Sequence, residues 1–195
     1  MSNKPENTKS VDPRKVITGK DTRLSYEHVW EPVSINGGNL KYSVSALIPK
    51  TDIVTVEKIH KAMDAAYHEG EAKLKGNGKT VPPMSAIKLP LRDGDLERPD
   101  DPAYAGMWFV NANTDKAPGI VDLARNPILD RSEVYSGCYC RVSISFYAFN
   151  SNGNRGIACS LNNLQKVRDG ERLGGRASAE EDFAGLDDED KDFLA

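Results

Sequence analysis

The chain has 195 residues, 38% hydrophobic and 28% charged, the balance of one globular domain with room for a tail; this excludes a wholly disordered, collagen-like or disulfide-knotted chain. Its longest apolar runs span a few residues and its start is polar, so neither a membrane span nor a secretory leader is read, and a cytoplasmic setting is expected. The formal net charge of −3 hides a reversal of sign, because residues 180–195 hold eight acids and one lysine, leaving 25 basic and 21 acidic residues over 1–179.

A basic body joined to a strongly anionic end suggests a nucleic-acid binder whose tail competes for a cationic groove or is displayed to a basic partner. The plainer reading of such a tail is a solvated, disordered end. Cys138, Cys140 and Cys159 are odd in number and contain no C-x-x-C pair, so neither a disulfide framework nor a zinc site is supported; reduced core thiols are expected.

Residues 1–20 lack periodicity and are read as a flexible arm, extended near 15–17 if anywhere. Leu24, Tyr26, His28 and Trp30 alternate with polar residues, Asn36-Gly37-Gly38 intervenes, and alternation resumes from Leu40 to Ile48, which predicts a β-hairpin. Tyr42, Val44, Ala46 and Ile48 form its apolar face; Lys41, Ser43 and Ser45 face water. Val56, Ile59, Met63, Ala66, Tyr67 and Leu74 then recur at helical spacing, predicting one amphipathic helix of about 20 residues with Thr55 as N-cap and Gly76 past its end. His60, Asp64 and His68 share a stripe with metal-compatible spacing, but no fourth ligand suggests itself and no metal or other cofactor is expected.

Five prolines between Val81 and Pro102 predict loop, with a short strand around 86–89, and Trp108–Ala112 reads as a core strand. A second turn-rich connector covers 113–132. From Tyr139 to Phe149 the alternation is strict: Cys140, Val142, Ile144, Phe146 and Ala148 on one face, Arg141, Ser143, Ser145, Tyr147 and Phe149 on the other. The Asn152-Gly153 turn then allows 156–161 to pair back. Aromatics beside an arginine on the wet side of a strand are what a base-stacking platform needs, unless another element covers them.

The run VYSGCYCRVSISFYAFNSNGNRGIACSLNNLQKVRDGERLGG at 134–175, with PLRDGD at 90–95 and WFVNANTDKAPGIVD at 108–122, resembles a family of bacteriophage single-stranded-DNA-binding proteins formerly catalogued as a domain of unknown function. The match covers most of residues 24–176. The resemblance implies an OB-fold that binds single-stranded DNA without sequence preference during phage replication or recombination, and no enzymatic activity. The expected architecture is therefore mainly β (α+β): an OB-fold-like Greek-key barrel over 21–176 with one long helix and long Pro/Gly-rich loops, followed by a disordered acidic tail over 177–195. An OB-fold's helix usually follows its third strand, whereas here it follows two confident strands; either 15–17 supplies an early strand or the barrel is elaborated.

In such a groove Lys41, Lys50, Lys88, Arg141 and Arg155 would meet phosphates and Trp108, Tyr147 and Phe149 would stack on bases. Single-stranded DNA is the expected partner, with duplex DNA and RNA as weaker alternatives, since all share phosphates and bases. Asp187, Asp188, Glu189, Asp190 and Asp192, followed by Phe193 and Leu194, resemble the acidic, apolar-ended tips of replication single-strand binders. That resemblance implies competition for the groove or recruitment of replication and recombination proteins. Two rival readings are weighed. Asp93, Asp95, Glu97, Asp100 and Asp101 could suggest a two-metal nuclease, although they sit among Arg92, Arg98 and prolines. An OB-like scaffold could also serve as a protein-interaction or minor structural module without DNA binding.

Overall fold

The computed structural model describes residues 10–174. Two Asn-Gly turns organise it, because Asn36 and Gly37 (φ 53° and 74°) and Asn152 and Gly153 (φ 51° and 86°) take the left-handed backbone that folds twisted strands tightly back on each other. The elements in chain order are β1 (Lys15–Ile17), β2 (Arg23–Ser34), β3 (Leu40–Pro49), α1 (Ile53–Glu69), α2 (Glu71–Lys75), β4 (Leu91–Asp93), α3 (Gly94–Glu97), β5 (Met107–Thr114), β6 (Gly119–Val121), β7 (Tyr139–Ser151) and β8 (Asn154–Arg168).

Strand β3 pairs antiparallel with β2 and β5, and β7 pairs antiparallel with β8 along its whole length. Two thin seams close the ring: Arg23 opposite Tyr139 joins β2 to β7, and Asn113 beside Ser160 joins β5 to β8. The result is a partly open five-stranded barrel, the OB-like architecture expected. β1 pairs with β7 outside the ring, with Val16 opposite Ile144 and buried, so the folded body reaches into the stretch read as an arm. Both answers to the helix-order question therefore hold. An early strand exists, and the ring itself is elaborated, with α1 between its second and third strands.

The barrel interior takes Val44, Ala46 and Ile48 from β3, Val110 and Ala112 from β5, and Cys140, Val142, Ile144 and Phe146 from β7. Ile59, Ala62, Met63 and Ala66 of α1 close it; burial of side chains the size of Ile59 and Met63 contributes about 1.5–3 kcal/mol each, and the alanines less. All three cysteines are free and buried there.

The predicted single helix is two. Gly70 separates α1 from α2, and a Cβ at that position would overlap the Cβ of Ala148 on β7, so the break is occupied by glycine. The cap is Asp52 rather than Thr55: its carboxylate accepts from the Thr55 backbone N–H (3.1 Å) and hydroxyl (2.6 Å), and Thr55 Oγ1 accepts from Gly19 N–H (3.0 Å). The strand expected around 86–89 is a 3-10 turn over Met84–Ala86, followed by a single bridge from Lys88 to Gly156.

Candidate nucleic-acid interface

Register decides which side chains share the barrel's outer face. Ser43, Ser45 and Leu47 of β3 lie opposite Asn113, Asn111 and Phe109 of β5, so one face runs from a polar end to an apolar end. Tyr104, from the loop after α3, covers the apolar end: its ring meets Phe109 edge-on (5.0 Å between centroids) and its hydroxyl donates to Ser45 Oγ (3.2 Å). Leu47, Tyr104 and Phe109 thus form a second small core. The polar end stays open as a cleft of about 570 Å3 lined by Tyr26, His28, Ser43, Asn111, Asn113 and Arg98, among others. A neighbouring cleft of about 600 Å3 passes Ser25, Glu27, Tyr135, Ser136 and Arg172 and reaches Gly174. Tyr26 lines both, so the two read as one groove.

Tyr26 stands at the groove's centre because β2 is bulged between Ser25 and His28 and the tyrosine takes φ 45°. A bulge moves every later side chain of a strand to the other face. Leu24 and Val29 therefore point inward, while Tyr26 is turned out and left 57% exposed. A left-handed non-glycine residue costs about 1–2 kcal/mol, and the Glu27 N–H bond to Ser136 Oγ (3.0 Å) helps hold the irregular segment.

Cations interleave with the rings. The Arg98 guanidinium lies 5.8 Å from the Tyr26 centroid and 5.7 Å from that of Tyr104, and Arg172 lies 4.2 Å from Tyr135. Neither arginine pairs with a carboxylate among the described residues. Farther along the same surface Tyr139 is flanked by Arg168 at 3.8 Å and Arg23 at 5.7 Å. Glu27, by contrast, is held above the usual carboxylate range by burial. The arrangement offers a ring to an unpaired base, free guanidinium groups to phosphate, and serine and asparagine side chains to bridging water.

The residues singled out from sequence do not all come here. Lys41 is nearest: it lies two positions before Ser43 on the same strand, with Asp115 at 3.7 Å. Lys50 is held by Asp93 (2.6 Å) and Asp95 (2.7 Å), and Trp108 is packed against the main core with Lys50 Nζ 5.1 Å from its ring, so this pair braces the barrel end rather than presenting a free cation and a free ring. Arg141, on the outer face of β7, donates to Gln165 Oε1 (3.2 Å). Lys88, Tyr147, Phe149 and Arg155 gather at the opposite end of the β7–β8 hairpin. Tyr26, Arg98, Tyr135 and Arg172 are the groove residues the sequence reading passed over, although Arg98 stands beside Pro99, and Tyr135 and Arg172 stand two residues from Gly137 and Gly170.

Four of the five acids of the 93–101 loop are engaged. Asp93 and Asp95 hold Lys50, Glu97 pairs with Arg92, and Asp101 caps the turn at Ala103. His60, Asp64 and His68 lie on the exposed side of α1, His68 bonded to Glu71, and among the described residues no three such groups gather to hold a metal. No helix among them is long and apolar enough to cross a membrane. The tail residues Asp187, Asp188, Glu189, Asp190, Asp192 and Phe193 lie outside the described residues.

A family described as "Enterobacter phage Enc34, ssDNA-binding protein" matches residues 14–194. A putative protein p50 of Acyrthosiphon pisum secondary endosymbiont phage 1 is 30% identical over 171 residues, 83% of this chain and 89% of that one. The single-stranded DNA-binding protein of bacteriophage Enc34, solved in complex with ssDNA, superposes with a TM-score of 0.66 at 27% identity over 82% of this chain and 88% of that chain. The single-stranded DNA-binding protein gp2.5 of bacteriophage T7 shares the fold at 18% identity, with a TM-score of 0.56 over 87% and 92% of the two chains.

Proposed function

The chain belongs to the family of the Enterobacter phage Enc34 ssDNA-binding protein, and on that premise we propose that it binds single-stranded DNA in phage replication and recombination. It acts as a binding protein without catalytic chemistry, in the host cytoplasm. The observation that carries the reading is the groove at Tyr26: an exposed ring between two clefts, with Arg98 and Arg172 on either side and without carboxylate partners among the described residues.

Two contributions add in this groove. Guanidinium groups neutralise phosphates and release counterions, so affinity falls with salt. Tyr26 stacks on a base at about 1–3 kcal/mol, while Tyr135, packed against the core, holds Arg172 over its ring at the cleft wall. Bases in a duplex already stack on each other, which favours the single strand, and no base edge needs to be read, so sequence preference is weak. Among the residues read from sequence, Lys41 extends the groove's positive edge; Lys88, Tyr147, Phe149 and Arg155 belong to a separate surface.

Gly174, the last described residue, lines the cleft. The tail competes with DNA for the arginines when the groove is empty and is presented to replication or recombination proteins when DNA displaces it. Titration of fluorescein-labelled oligo-dT and a matched duplex by anisotropy at two salt concentrations tests the function. Tighter, salt-sensitive binding of the single strand is expected; equal binding of the duplex removes stacking as the source of preference, and no binding to either overturns the reading.

A further inference from the structure

The far end of the β7–β8 hairpin carries a second cationic surface. Phe149 lies opposite Gly156, and Lys88 is locked beside them by backbone bonds from its N–H to Arg155 O (3.0 Å) and from Ile157 N–H to its own carbonyl (2.8 Å). Asn150 donates from its side chain to the Lys73 carbonyl (3.0 Å), which draws the C-terminal end of α2, with Lys73 and Lys75, to the same place. Lys73 and Tyr147 line a hollow of about 230 Å3, and Tyr147 is 41% exposed.

None of Lys73, Lys75, Lys88 and Arg155 pairs with a carboxylate among the described residues. The nearby acids are already engaged, Glu69 by Arg14 and Glu71 by His68. Arg155 Nε is buried without a hydrogen-bond partner. Fold stability alone leaves four clustered cations beside two aromatic rings unexplained.

A polar band links this surface to the groove. Asn113, which lines the open cleft, is paired with Ser160 of β8; Ser160 lies opposite Ser145 of β7, two positions before Tyr147 on the same face. Asn162 donates to Ser145 Oγ (2.9 Å) within the band. We propose that the hairpin end is a second contact surface for the same nucleic-acid strand: DNA leaving the groove at Asn113 crosses this band and sets its next phosphates on Lys73, Lys75 and Lys88, with Tyr147 and Phe149 facing its bases. The inference rests on the reading that single-stranded DNA occupies the groove. A strand is favoured over the acidic tail as occupant because the band is continuous with the groove and ends in rings.

The test uses the full chain and its Lys73→Gln/Lys75→Gln/Lys88→Gln variant, all three side chains being exposed. Oligo-dT of about 8 and about 20 nucleotides, bracketing the site size of a single OB-fold, is titrated across a salt series. Each lost phosphate contact removes about 0.7 from the log–log salt slope for single strands, so the variant's slope on the long oligomer should be shallower by about 2 while its binding of the short one is unchanged. Unchanged binding of the long oligomer overturns the proposal and leaves the patch to a protein ligand such as the tail. Equal losses on both lengths overturn it too, since the lysines would then act through the groove's own field. Failure of the wild-type chain to bind either oligomer marks the loss of the groove reading itself.

Discussion

Tyr26 concentrates the account at the scale of one residue. Replacing it with alanine removes a stacking face without touching a cation, so affinity for oligo-dT should fall about 5- to 150-fold, the range of 1–3 kcal/mol per stacked base, with the salt slope unchanged. Tyr26→Phe should retain most of the affinity, and an unaffected alanine variant would remove Tyr26 from the interface. Strict alternation placed Tyr26 with Leu24 and Trp30 on an apolar face. A bulge is invisible to a period-two reading, which is why the most exposed ring of the groove went unread. Lys50 failed differently: its partners Asp93 and Asp95 arrive from more than forty residues away, no local pattern announces them, and Trp108 is engaged by that same lysine.

Glu27 is the groove's internal opponent. Burial raises its carboxyl above the usual range, with Arg172 partly offsetting this; His28, Asp101 and Arg98 also border the two clefts. A carboxyl whose folded pKa is raised favours the fold while protonated, and that contribution is lost as pH rises through the folded pKa. Glu27→Gln should therefore raise the melting temperature at neutral pH, with the gap closing as pH drops below the unfolded pKa, and it should tighten DNA binding at neutral pH. An unchanged melting temperature across this range would show that the buried charge carries no strain.

Among the elements, α1 and the two hairpins explain most of what the sequence made legible. Helical spacing found the α1 face, and the Asn-Gly turns found both hairpins, because these signals are local. The need for glycine at the break depends on Ala148, brought close by tertiary packing. Gly70→Ala should destabilise the protein by about 1–3 kcal/mol through overpacking, read as a lower denaturation midpoint. Asp52→Ala should cost about 1 kcal/mol by removing the α1 cap, an effect that the same denaturation series would detect. If Gly70→Ala is neutral, the contact with β7 is looser than described.

For the whole molecule, the segregation of charge visible in the composition meets a groove whose arginines have no carboxylate partner among the described residues and whose lining reaches Gly174, the last of them. Neutralising the tail in the intact chain by Asp187→Asn, Asp188→Asn, Asp190→Asn and Asp192→Asn should tighten oligo-dT binding at low salt, with the gain shrinking as salt screens both competitors. Unchanged or weaker binding at low salt would remove the tail from the groove. Alternation made the strands legible and the family resemblance their barrel, whereas the outer face was not legible, since register and bulges decide which side chains meet there.

The central claim, that single-stranded DNA lies in the groove at Tyr26, is tested most directly by photocross-linking. Oligonucleotides carrying 5-iododeoxyuridine would be irradiated with the full chain and the adducts mapped by mass spectrometry. The account requires adducts at Tyr26 or Tyr135 that unlabelled oligo-dT competes away. Adducts confined to residues outside both clefts, with these tyrosines unmodified, would contradict it.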